Sequence, residues 1–173
     1  MHFMKINRSF LRLLFLAIVL FCRSSFSFAQ SDATQRRLSF TVVQTMHFGS
    51  LCLTGTSGGT VSIGYNGVRS SHGSVAILST GTSARPAEFE VKLCHGKNLI
   101  ITFSSSIHLI GSHGGALQLE IGPTDNGTNA VILSPNSDCN VIIPLHLGGT
   151  LHVPGSAIPD TYSGSFSIIF NNE

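Results

Sequence analysis

The stretch PAEFEVKLC, residues 86–94, alternates without a break. Phe89, Val91 and Leu93 fall on one parity, and Glu88, Glu90 and Lys92 fall on the other. An extended chain turns successive side chains to opposite faces, so this segment has one apolar face and one charged face. At the helical period of 3.6 the same apolar set would scatter around the axis. The segment therefore predicts a half-buried antiparallel strand.

Outward from it, similar short runs recur along the chain. They are LSFTVV (38–43), GTVSIGY (59–65), GSVAILS (73–79), NLIITFS (98–104), GALQLEIG (115–122), AVILS (130–134), NVIIPLHL (140–147), GTLHV (149–153) and SGSFSIIF (163–170). Turn signals separate them: TSGG, YNG, SHG, CHGKN, SHGG, TDNG, PNSD and PGSAIPD. No window of helical length carries an apolar stripe, and the 18 glycines suit tight turns better than helices. Short strands at this spacing predict an all-β chain, an antiparallel β-sandwich.

The first 29 residues are set apart from that pattern. Lys5, Arg8 and Arg12 precede the apolar stretch LLFLAIVLFC, and SFSFAQ offers Ala29 as a small residue at a cleavage point. That arrangement predicts a secretory signal, and the apolar stretch is shorter than the roughly 20 residues a membrane span needs. Residues 30–39 then read as a loose leader, and 40–173 as one β-sandwich domain with no membrane span. Cleavage removes four basic side chains and no acidic ones, leaving six against eight and a net charge of −2 instead of +2. No basic footprint for nucleic acid survives.

Export implies an oxidising compartment, so Cys52, Cys94 and Cys139 are read first as disulfide candidates. Three pairings are open. A Cys52–Cys94 bridge is the candidate singled out, because it would tie an early strand to a middle one. The wide spacings match no zinc or redox motif.

Chemistry is thin elsewhere. GTSGG (55–59) has the GxSxG spacing, but a nucleophile elbow needs a helix after it, whereas a strand-like run follows Ser57. A flexible hairpin loop is the better reading. Seven histidines follow residue 29, and His146 and His152 are expected on neighbouring strands across LGGT (147–150), yet no HxH or HxxxH pair with a carboxylate accompanies them. Glu88 and Glu90 share a face with Lys92 and read as a solvated surface. Asn126 opens the sequon-like NGT, read as a turn. The absence of tryptophan and the presence of only two tyrosines leave little aromatic platform for a sugar. No catalytic residue, metal site or cofactor is expected, and the chain is read as non-enzymatic.

Five segments, in order, resemble a known family. FGSL (48–51), SGGTVSIG (57–64), PAEFEV (86–91), LGGTLHVP (147–154) and DTYSGSFSIIF (160–170) are similar to the bacterial family called domain of unknown function 4402. In its pattern that family resembles spore coat protein U and chaperone-usher pilins. The resemblance implies an exported immunoglobulin-like sandwich of a Gram-negative bacterium, in the periplasm or on the outer surface, with no established activity. One departure concerns the cysteines. Pilins of that kind bridge the first strand to the second, whereas Cys52 here follows the Phe48–Gly49 pair.

The carboxyl-terminal run TYSGSFSIIF (161–170) raises the question of what covers it. Tyr162, Gly164, Phe166, Ile168 and Phe170 share one parity, so the run predicts a strand whose edge, through Gly164, Phe166, Ile168 and Phe170, is a candidate assembly edge. An uncovered edge invites another chain to complete the sheet. Expected partners are other copies or related subunits, with QRRLSFTVVQ (35–44) as the candidate donor segment; the alternative is closure by the chain's own first strand. The expected role is that of a structural or assembly protein resembling a fimbrial subunit. An adhesin-like module binding a glycan or matrix component is the alternative.

Overall fold

The computed structural model describes residues 37–125 and 130–172. The expected signal (1–29), residues 30–36 of the expected leader, and Asn126 lie outside the described residues. Thirteen strands run in chain order among the described residues: β1 Arg37–Gln44, β2 Ser50–Leu53, β3 Gly59–Ile63, β4 Arg69–Gly73, β5 Val75–Leu78, β6 Ala87–Cys94 and β7 Leu99–Phe103. They continue with β8 Ser106–Gly111, β9 Ala116–Thr124, β10 Ala130–Leu133, β11 Ile143–Val153, β12 Tyr162–Ser163 and β13 Ile168–Asn172. None of the described residues is helical, and every pairing between these strands is antiparallel. β1 begins at Arg37, three residues ahead of the expected start of the domain. No helix among the described residues is long and apolar enough to cross a membrane.

The large sheet runs β1-β6-β11-β9-β8-β12, with β3 and β4 continuing from β11. A second sheet runs β10-β7-β13, and β2 and β5 form a separate pair. Alternation decides which faces meet. Ala87, Phe89, Val91 and Leu93 of β6 are buried, while Glu88, Glu90 and Lys92 between them are only partly covered. Leu99, Ile101 and Phe103 of β7 and Val131 and Leu133 of β10 bury the facing side of the second sheet. All join one apolar cluster, so the two layers share a single core. Each of these large side chains contributes about 1.5–3 kcal/mol by leaving water.

At one end of that core five phenylalanines bridge the layers. The Phe89 ring on β6 lies 6.1 Å from that of Phe103 on β7. Phe40 on β1 lies 5.0 Å from Phe89 and 5.1 Å from Phe170 on β13. Phe166 meets Phe89 and Phe103 edge-on at 6.5 and 6.2 Å. Offset and edge-on rings at these separations are favourable beyond the area they bury.

β11 corrects one expectation. NVIIPLHL and GTLHV are not two strands across a turn: β11 runs through LGGT as one strand of 11 residues. Its first half pairs β6 from Ile143 to Leu147, and its second pairs β3 from Gly149 to Val153 on the same side. Gly148 sits at the handover, where the ladder to β9 also shifts register. A Cβ on Gly148 would lie 2.4 Å from the Ile63 carbonyl oxygen, so only glycine allows β3 to approach there. His146 and His152 consequently share a strand and do not face each other across two.

The disulfide is also corrected. Cys94 at the end of β6 is bonded to Cys139, with Cα atoms 4.8 Å apart, and not to Cys52. The segment after β10 runs beside the end of β6, where the Asn136 amide donates to the Leu93 carbonyl at 2.9 Å, and this brings Cys139 alongside. Cys52 is a free thiol on β2, opposite Ala76 of β5 in the separate pair.

Candidate assembly edge

β13 pairs β7 through Ile168↔Phe103, Phe170↔Ile101 and Asn172↔Leu99. Directly opposed residues share a face, and Phe103, Ile101 and Leu99 are buried, so Ile168 and Phe170 point into the sandwich and Ile169 points out. On its other side β13 has no strand among the described residues. The chain's first strand does not pair with it, because β1 pairs β6 at an edge of the other sheet.

β1 carries the second half of the site. Leu38, Phe40 and Val42 lie opposite Leu93, Val91 and Phe89, which are all buried, so these three side chains also face inward. Yet Leu38 is 40% exposed and Val42 54%. Inward-facing apolar side chains remain wet only where the opposite layer stops short. The second sheet ends at β13, whose Phe170 touches Phe40 while itself remaining 37% exposed. The result is a slot with one backbone edge, β13, and an apolar floor of Leu38, Phe40 and Val42.

The expected edge through Gly164, Phe166, Ile168 and Phe170 is half corrected. Ile168 and Phe170 lie on β13, but Gly164 and Phe166 lie between β12 and β13, where the chain crosses from the large sheet to the second. A Cβ on Gly164 would meet Leu109 Cδ2 at 2.9 Å and the His108 carbonyl oxygen at 3.0 Å, so the crossing hugs β8. Phe166 is spent inside, between Phe89 and Phe103.

The remaining polar groups are structural in geometry. Ser57 is exposed in the turn between β2 and β3, with a strand after it. His146 Nδ1 lies 3.2 Å from Asp125 Oδ2 and its Nε2 3.8 Å from Glu88 Oε1. His152 Nε2 is 3.1 Å from Glu120 Oε1 but off the axis of a hydrogen bond. His95 lies within 4.8 Å of both sulfurs of the Cys94–Cys139 bridge, which as a cystine offers no thiolate to a metal.

A Ser–His–Asp set that sequence reading missed lies at the turn between β8 and β9. Asp160 accepts from Ser112 Oγ at 2.5 Å, from the His113 and Thr161 amides at 2.6 and 2.7 Å, and meets His113 Nδ1 at 3.0 Å. The Ser112 hydroxyl bond, then the His113 amide and ring, hold the Asp160 carboxyl far below its ordinary range. Serine and aspartate both meet the same ring nitrogen, so the imidazole relays nothing between them. The carboxylate is 1% exposed and works as a latch, fastening the turn to the segment that leads into β12. Two of its partners, Ser112 and His113, lie 48 and 47 positions away, which no local motif announces.

Compared with known proteins, residues 38–171 match the family model described as Domain of unknown function (DUF4402). No curated protein and no solved structure matches.

Proposed function

We propose, on the premise that this chain belongs to the family of the domain of unknown function DUF4402, that it is an exported, non-enzymatic structural or assembly protein. In this reading the domain is an immunoglobulin-like sandwich of the cell surface or periplasm of a Gram-negative bacterium. It joins related subunits by strand addition, as a fimbria-like subunit would. The observation that carries it is the coincidence of an unpaired backbone edge on β13 with the uncovered inward face of β1. An added strand satisfies both needs at once, pairing the free amide and carbonyl groups and drying the side chains. The Cys94–Cys139 bridge supports export, since such bonds persist in oxidising compartments.

The test uses the producing bacterium. In a Cys52→Ser background, Ile169→Cys places a thiol on the outward face of β13. Fractionation and treatment with a bifunctional thiol reagent should yield high-mass adducts confined to the envelope fraction. A chain found only in the cytosol, or cross-linking to nothing, overturns the proposal.

A further inference from the structure

We infer that Cys94, His95 and Cys139 form a zinc-binding site whenever the bridge between the two cysteines is open. The inference goes beyond the assembly reading and does not depend on it.

Three donors meet at the end of β6. The two sulfurs and a ring nitrogen of His95 all lie within 4.8 Å of one another. Tetrahedral zinc, with bonds of about 2.3 Å to sulfur and about 2.0 Å to nitrogen, holds such donors roughly 3.6–3.8 Å apart. Opening the bridge lets the sulfurs separate toward that spacing, and rotation of the side chains between staggered positions covers the difference. Two thiolates and an imidazole are also the ligand types that take zinc in preference to calcium or magnesium. Among the described residues no other three metal-ligating side chains converge this closely.

The backbone assembles the set without the covalent bond. The Asn136 amide donates to the Leu93 carbonyl at 2.9 Å, and the His95 amide donates to the Asn136 carbonyl at 3.3 Å, so residue 136 is laced to both neighbours of Cys94. Asn136 Oδ1 then accepts from the Asp138 amide and Asp138 Oδ1 from the Asn140 amide, each at 2.9 Å, which sets the path of the loop through Cys139. None of these bonds involves a sulfur. His95 is the one non-glycine residue with a positive φ, 58°, among the described residues. Glycine would hold that turn without steric strain, whereas histidine brings an imidazole to the sulfurs. Cys94 is buried, and His95 and Cys139 are half-buried, so the ion sits partly under cover with its fourth position left to a water or another donor.

A dithiol opens the site by a two-electron reduction: the sulfur–sulfur bond breaks, two thiols form and the dithiol closes into its own disulfide. Zinc then replaces the two thiol protons, which pass to solvent, and adds one bond to the imidazole. Oxidation back to the cystine removes both thiolates and expels the ion. Bridge and zinc are therefore mutually exclusive occupants of one site.

The protein purified from the producing bacterium is reduced anaerobically with a phosphine, which leaves the metal free, and titrated with cobalt(II). The reduced chain should take up one cobalt, with a thiolate-to-cobalt charge-transfer band in the near ultraviolet, and zinc should displace it. The oxidised chain should show no such band. Cys52→Ser should leave the titration unchanged, and Cys139→Ser should remove most of the band. Loss of even an outer partner of a metal ligand weakens binding on the order of tenfold, so His95→Ala should cost at least that much in cobalt affinity. Because reduction also removes a cross-link, thermal midpoints are followed in parallel: zinc should raise that of the reduced chain and leave that of the oxidised chain where it was. A reduced chain with no thiolate band, an undiminished band in Cys139→Ser, unchanged affinity in His95→Ala, or a reduced chain whose midpoint zinc does not raise would each overturn the inference.

Discussion

Asp160 shows how one side chain sets a pH limit. Its carboxyl is lowered on folding, chiefly by the Ser112 hydroxyl. A group of that kind stabilises the fold above its unfolded pKa of about 3.9, and the contribution disappears as pH falls through the folded value. Thermal midpoints followed downward from pH 7 should therefore drop below about pH 4, and Asp160→Asn should start lower at pH 7 and decline less steeply. Gly148 is a steric case. Adding one methyl group against the Ile63 carbonyl forces β11 and β3 apart, and Gly148→Ala should cost about 1–3 kcal/mol in denaturant unfolding. Phe89 is central to the aromatic bridge, and Phe89→Ala should cost about 3–5 kcal/mol. Sequence reading placed Phe89 inward from parity alone. It missed the Asp160 latch, because proximity between residues 112 and 160 is a product of the finished fold.

At the scale of elements, legibility followed the presence of alternating apolar side chains. β6, β7 and β9 carry them and are recognisable one strand at a time. β4 consists of RSSHG, exposed throughout, and its existence depends on the β3 ladder and not on any burial pattern. LGGT looks like a turn because glycine pairs usually mark one, whereas here the small residues serve close backbone contact inside β11. The disulfide could not be assigned because residues 52, 94 and 139 are distant in sequence, and pairing depends on which loop passes β6. At a sequence separation of 45, Cys94 and Cys139 close a loop whose loss is expected to cost about 4 kcal/mol. Cys94→Ser should show a cost of that order in urea unfolding, Cys52→Ser a much smaller one, and mass mapping of the oxidised chain should recover the 94–139 cross-link.

For the whole molecule, composition and periodicity fixed the class, an all-β chain with one core, but not the balance between the layers. Leu38 and Val42 alternate like any buried strand, and nothing local shows that the opposing sheet ends before reaching them. The slot is therefore a property of strand number and order, visible only when both sheets are laid out. The carboxyl-terminal edge was legible as an edge, while the crossing at Gly164 and Phe166 was not, because a run of constant parity can still change sheets where it bends.

The ladder joining β3 to β11 has a kinetic side. Its hydroxyl contact between Ser62 and Thr150, at 3.0 Å, closes a span of 88 residues. Contacts so remote along the chain must be reached before they repay the entropy of closing the loop, and topologies dominated by them cross their barrier in milliseconds to seconds, not microseconds. During that interval an unfolded molecule has its hydrophobic strands still searching for their neighbours, so the speed of folding is governed by topology.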